Sequence, residues 1–174
     1  MKIFEGEILF LDRSDINTDE IIPAKYLTDV SREALKPYLF EELNLNGFDH
    51  KKSLTGKGVI ITRKNFGCGS SREHALWALE QNNINVVIAE SFARIFRQNS
   101  FNCGMLAIEL PSDKIEMLFF KYANKKTIAN VNFEKEEVTF CSENNSDVLK
   151  FKLGEFDKAV VSAGGWINYA NKKY

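Results

Sequence analysis

Three short, almost wholly apolar runs punctuate the centre of the chain: Gly58-Val59-Ile60-Ile61-Thr62, Val86-Val87-Ile88-Ala89 and Met105-Leu106-Ala107-Ile108. None alternates with polar residues, so each must be covered on both faces, as the inner strands of a parallel sheet are. Helical patterns fill the gaps between them. Arg72 to Glu80 has helical composition and is ended by Asn82-Asn83, and Phe92, Ile95 and Phe96 fall at i, i+3 and i+4, the mark of a buried helix face. After the third run, Ile115, Leu118, Phe119 and Tyr122 repeat that spacing behind a Pro111-Ser112-Asp113 start. Strand and helix in alternation predict right-handed crossovers around a parallel βαβ core.

The flanks read differently. Residues 2–11 form a first strand, and 12–29 follow as a polar loop, long enough without regular structure to suggest a functional role. Ala129, Val131 and Phe133 alternate with polar residues, as do Leu149, Phe151 and Leu153, with Val138-Thr139-Phe140 between. These are half-exposed strands, antiparallel and peripheral. Residues 155–172 close the chain as helix, interrupted at Gly164-Gly165. No repeat or linker divides the 174 residues, so residues 1–174 are read as a single α/β domain with a mixed sheet.

Charge and cysteines narrow the function. The balance of 23 basic and 24 acidic residues argues against nucleic acid as a partner. No apolar run approaches the roughly 20 residues that span a bilayer, and Met1 to Glu7 lacks the apolar core of a signal peptide. The expected location is the cytoplasm, without membrane contact. Cys68, Cys103 and Cys141 lie far apart, which fits neither a disulfide framework nor the close pairs of zinc and many iron–sulfur sites. They read as reduced, mostly packed thiols, with no metal held by this chain.

Chemistry concentrates between the first central strand and its helix, in Asn65-Phe66-Gly67-Cys68-Gly69-Ser70-Ser71-Arg72-Glu73-His74-Ala75. Open α/β sheets place ligand crevices at such strand-to-helix turns. Gly67 and Gly69 allow a tight turn and a close approach to a ligand. Ser70 or Ser71 is expected to cap the helix, Ser70 with Glu73 having capping-box spacing. A helix start with free N–H groups favours an anion, and Arg72 adds a planar fork suited to carboxylate or phosphate. The dinucleotide fingerprint is incomplete, because Arg72 stands where its third glycine belongs, and no P-loop lysine follows. The residues alone leave two readings: a well-capped helix after a tight turn, or a site for a small acid.

The segment Gly67-Cys68-Gly69-Ser70-Ser71-Arg72-Glu73-His74-Ala75 resembles the signature of the swivelling domain of the aconitase superfamily. Asp15 to Leu27 is similar to the N-terminal loop of 3-isopropylmalate dehydratase small subunits, and Ser91 to Gly104 to that family's third block. The three blocks keep the family order and the likeness runs over nearly the whole chain. The resemblance implies that Ser70 is the catalytic base and that Ser71 and Arg72 bind a substrate carboxylate. It implies a hydro-lyase that moves a hydroxyl between neighbouring carbons of a 2-hydroxy acid, in leucine biosynthesis. It also implies a large subunit, in a heterodimer or heterotetramer, that carries a [4Fe–4S] cluster. A serine base must act as an alkoxide, at a cost well beyond the ~2 kcal/mol a helix terminus can return. The remainder falls to a dry interface with that partner, so the chain alone should be inactive.

Substrate choice is read from the loop around Tyr26-Leu27-Thr28, a specificity element in the family. Relatives acting on longer tricarboxylates place an arginine where Thr28 stands; Thr28 cannot make that pair, which favours an apolar substituent contacted by Ile22 and Leu27. Two other readings stay open: Thr28 as the cap of a short helix starting near Ser31, and Arg32 as the source of the missing charge. Related small subunits for homoaconitate, citramalate or 2,3-dimethylmalate remain open, as does a non-catalytic module binding a carboxylate or phosphate, or a purely structural partner. His74, Arg94 and Arg97 have no decided role, and Trp77 and Trp166 read as core or interface.

Overall fold

The computed structural model describes residues 2–28 and 31–174. Its frame is one seven-stranded sheet in the order β4-β3-β2-β1-β5-β6-β7. The strands are β1 (Glu5–Phe10), β2 (Lys57–Ile61), β3 (Val86–Ala89), β4 (Leu106–Glu109), β5 (Ile128–Asn132), β6 (Glu137–Cys141) and β7 (Ser146–Lys150). β1 to β4 pair in parallel, while β5, β6 and β7 add to the free edge of β1 as an antiparallel ladder. The apolar runs explain the division. Every residue of β3 is buried and so is β2 after Lys57, whereas β7 alternates exposed and half-buried along its length. A mixed sheet with a parallel βαβ core is what the hydrophobic patterning requires.

Among the described residues there are six α-helices: α1 (Thr18–Ile21), α2 (Glu73–Gln81), α3 (Arg94–Asn102), α4 (Ser112–Tyr122), α5 (Glu155–Ser162) and α6 (Trp166–Lys173). α2 and α3 are the crossovers β2-α2-β3 and β3-α3-β4, and α3 also touches α5 and α6. α4 carries the chain from the outer strand β4 to β5 on the far side of β1. Its predicted face is buried at Ile115, Leu118, Phe119 and Tyr122, with Phe119 edge-on to Phe10 at 5.5 Å and Tyr122 beside Phe140. Gly164 and Gly165 separate α5 from α6, both at positive φ, as the interruption in the closing helix required. Among the described residues no helix is long and apolar enough to cross a membrane.

Two expectations change. The segment 12–29 is not a plain loop: α1 and a 3-10 turn at Ala24–Tyr26 lie within it. Asn17 caps α1 by accepting from the Glu20 N–H at 2.9 Å, while the Glu20 carboxylate accepts from the Asn17 N–H. That reciprocal capping box lets one short turn hold its shape inside a polar segment. The cysteines are free, Cys68 and Cys103 half-buried, but Cys141 is exposed rather than packed.

Candidate active site

The turn between β2 and α2 is built from the inside out. Phe66, with no accessible surface, sits edge-on to Phe92 and Phe96, with ring centroids 6.3 and 5.3 Å away. Its backbone is pinned to the start of α3: the Phe66 N–H donates to the Ser91 carbonyl and the Ala93 N–H donates to the Phe66 carbonyl. Gly67 then turns at φ +82°, with the Phe96 ring so close that a Cβ built on it would lie 2.2 Å from a ring carbon. Only glycine meets both demands. The Gly67 N–H donates to the Ile16 carbonyl at 2.8 Å, and the Thr18 N–H to the Cys68 carbonyl at 2.9 Å. The 12–29 segment is thereby stitched along the turn, with the Thr18 hydroxyl donating to the Ser70 carbonyl at 2.7 Å.

Ser70 and Ser71 do not cap α2. The helix begins two residues later than the capping-box reading requires: Arg72 holds the N-cap position, with extended backbone and no side-chain cap bond. The Ser70 carbonyl is bound by Thr18 and its side chain is exposed, while Ser71 Oγ accepts from the Asn99 amide of α3 at 3.3 Å. The serines are therefore free for other work, and the first N–H groups of α2 have no capping side chain. Arg72 is half-buried, and its guanidinium donates to the Asp19 carboxylate on α1.

These elements enclose a pocket of about 240 Å³. Thr18, Ser71 and Arg72 line it together with Arg94, Ile95 and Asn99 of α3, and Leu76 and Phe96 add apolar surface. An anion-holding arginine, hydroxyls and uncapped helix starts beside apolar side chains suit a small acid with an alkyl branch. Ser70 is at the rim, exposed, and does not line the pocket. Beneath the turn, burial pushes the Cys68 thiol upward and Asp15 reinforces it, so Cys68 remains a thiol. Arg13, hydrogen-bonded to the Glu20 carboxylate, is held still more firmly in its charged form.

The other expected contacts lie elsewhere. Ile22 has no accessible surface; it is the C-cap of α1 and part of the core, so this conformation offers it to no ligand. Leu27 is half-buried and Thr28 exposed, and neither lines the pocket. Among the described residues Thr28 caps no helix: the 3-10 helix Glu33–Tyr38 has Arg32 at its N-cap position, and Arg32 lies over the Trp77 ring at 4.6 Å. His74 is beside the same ring, 4.6 Å between centroids. Ile95, assigned by its spacing to a buried face, is 52% exposed. The helix begins at Arg94, after Phe92, so only Phe92 and Phe96 point inward together. Thr18, Asp19 and Asn99 were not singled out as site residues; the Asn17-to-Glu20 capping spacing was the available sign that Thr18 and Asp19 lie on an ordered turn.

A strand-to-helix turn thus presents hydroxyls and an arginine to a pocket, on a mixed α/β sheet with an antiparallel flank. Residues 3–113 match the family model described as the aconitase C-terminal domain. The chain is 40% identical over 165 residues to the 3-isopropylmalate dehydratase small subunit of Karelsulcia muelleri, covering 90% of this chain and 81% of that one. With the small subunit of Leptospira interrogans it shares 33% over 198 residues, covering 95% and 96%. A crystal structure of 3-isopropylmalate dehydratase from Methanocaldococcus jannaschii superposes with a TM-score of 0.79 at 30% identity, covering 98% of this chain and 95% of that one. The chain belongs to the 3-isopropylmalate dehydratase small-subunit family, within the aconitase C-terminal domain family.

Proposed function

We propose that this chain is the small subunit of a two-chain hydro-lyase that interconverts 2- and 3-isopropylmalate in leucine biosynthesis, in the cytoplasm. The observation that carries the reading is the Ser70-Ser71-Arg72 run ahead of the uncapped start of α2, beside a pocket lined by both polar and apolar side chains. Ser70 Oγ takes a proton from the carbon next to the one bearing the hydroxyl. The C–O bond breaks, hydroxide departs with the bonding electrons, and a carbon–carbon double bond forms. Rehydration in the opposite sense adds hydroxide to the carbon that lost the proton and returns the proton from Ser70 to the carbon that lost the hydroxyl. Ser71 and Arg72 hold a carboxylate through this exchange, Arg72 being aimed by Asp19. A [4Fe–4S] cluster in the large subunit would supply the Lewis acid that helps hydroxide leave.

This chain's own residues do not fit such a cluster. Cys68, Cys103 and Cys141 lie on separate elements, and among the described residues no group of three His, Cys, Asp or Glu side chains could hold a metal ion. Ser70 stands exposed in the free chain, and the dry surroundings that a serine base requires are left to the partner's surface. The apolar lining contributed by Leu76 and Phe96 favours a branched alkyl substituent over a third carboxylate.

The test is anaerobic turnover of 3-isopropylmalate by this chain assembled with its cluster-loaded large subunit, with Ser70→Ala beside it. Activity that needs both chains and falls by at least about a thousandfold with Ser70→Ala is expected, in the range of losing a principal catalytic group. An assembled, loaded complex that leaves 3-isopropylmalate untouched, while accepting homoaconitate, citramalate or 2,3-dimethylmalate, would move the chain to that relative's reaction. Undiminished turnover by Ser70→Ala would remove Ser70 as the base.

A further inference from the structure

The chain has six arginines, and the structure employs five of them. Arg13 pairs with Glu20, Arg63 with Asp12 and Glu116, Arg72 with Asp19 and Arg97 with Glu109, while Arg32 lies over Trp77. Arg94 alone, among the described residues, has neither carboxylate nor aromatic ring beside it and makes no side-chain hydrogen bond. It is not a stray surface charge. It is the first residue of α3, lines the same pocket as Ser71 and Arg72, and has no acidic residue beside it in the helix's first turn. The N-cap of α3 is Ala93, which provides no side-chain cap, so the positive end of a nine-residue helix adds to the same field.

Arg72 meanwhile faces a carboxylate of the protein's own, on Asp19. A site that must hold a dicarboxylic acid thus has one cation already partly neutralised and a second, unpaired, lining the same pocket. Ile95, the next residue along α3, is an exposed isoleucine at the mouth of that pocket. An apolar side chain left half in water beside an unpaired cation is the pattern expected of a surface completed by ligand.

Resting on the dehydratase reading above, we infer that the first turn of α3 is the second half of the substrate site: Arg94 binds the carboxylate that Ser71 and Arg72 do not, and Ile95 packs against the alkyl branch. The loop at Leu27 and Thr28 then need not be the sole source of selectivity. Arg94 acts by holding substrate, not by moving protons, so its effect falls on KM.

The experiment uses the full chain assembled with its large subunit. Arg94→Gln is expected to raise KM for 3-isopropylmalate about ten- to a hundredfold, the usual worth of a charge-assisted hydrogen bond, with kcat changed less than about threefold. Arg94→Lys should restore part of the loss, because the charge remains while the fork does not. Ile95→Ser should raise KM for 3-isopropylmalate several-fold more than for the methyl-branched homologue. The Tm of each variant should match the parent, since both side chains are exposed. An unchanged KM for Arg94→Gln overturns the inference, as does weakened assembly of the two chains at unchanged KM, which would assign Arg94 to the subunit interface. If the parent complex turns over no 3-isopropylmalate, the functional reading fails, and the inference is decided on the free chain by NMR with succinate and isopropylsuccinate. Saturable shifts of the Arg94 Nε–H and of the first α3 amides, lost in Arg94→Gln, support it; unmoved resonances overturn it.

Discussion

Gly67 is where the fold and the site depend on the same atom, and Gly67→Ala measures that dependence. Two costs add. The backbone stands at φ +82°, where an L side chain costs about 1–2 kcal/mol. The new methyl would also lie 2.2 Å from Phe96 Cγ and 2.6–2.7 Å from two further carbons of that side chain. Phe96 has no easy retreat, being 5% exposed and packed between Phe66 and Phe92. Overpacking of this kind costs a further ~1–3 kcal/mol. The expected total of roughly 2–5 kcal/mol lowers Tm by about 5–15 °C in a chain of this size. Gly47→Ala is the control, because Gly47 also has positive φ (+76°) but nothing within 4 Å of a built Cβ, so it carries the backbone cost alone. Urea unfolding of the two variants beside the parent isolates the collision as their difference. Combining Gly67→Ala with Phe96→Ala should be less damaging than the two single effects added. The reasoning is refuted if Gly67→Ala is destabilised no more than Gly47→Ala, or if the double variant is additive.

Other expectations follow from side chains already placed. Arg72→Lys keeps the charge but loses the fork shared between Asp19 and a carboxylate; kcat/KM of the assembled enzyme should fall at least about tenfold while urea stability changes by less than ~1 kcal/mol. The Asp147 carboxylate is held below its ordinary range by hydrogen bonds from Lys121 and then Tyr122. Because its folded-state pKa is depressed, its contribution to stability is full above the unfolded value near 4 and is lost as pH falls through the lower folded value. Urea midpoints measured from pH 6 down to about 2.5 should therefore decline less steeply for Asp147→Asn than for the parent, and parallel curves would refute the assignment. Thiol labelling at pH 8 should resolve three classes: Cys141 is exposed and reacts first, Cys68 follows, and Cys103, pushed up to about 11 by burial, reacts last. Single Cys→Ser variants assign each phase.

The parallel half of the sheet was legible because burial on both faces leaves its mark residue by residue: Val86 to Ala89 is strand from end to end, with every side chain buried. α4 was legible for the same reason, its four spaced apolar positions all being inside. The site motif was legible as a motif, since two glycines, two serines and an arginine are an unusual run. Its geometry was not. Whether Ser70 caps the helix or remains free depends on which residue first takes helical dihedrals, and that is decided by a tertiary bond from the Thr18 hydroxyl to the Ser70 carbonyl, 52 residues away in sequence. Local spacing cannot contain that information. Ile95 shows the limit from the other side: its i+3 relation to Phe92 holds in the sequence, but Phe92 precedes the helix, so the spacing does not describe one face. An apolar residue displaced in this way is left at the surface, and at this position the surface is the mouth of the pocket. The departures from pattern and the chemistry therefore coincide for a physical reason. Side chains committed to capping or to the core are already satisfied, and only those the fold leaves unsatisfied, such as Ser70, Arg94 and Ile95, remain available to a substrate or a partner surface.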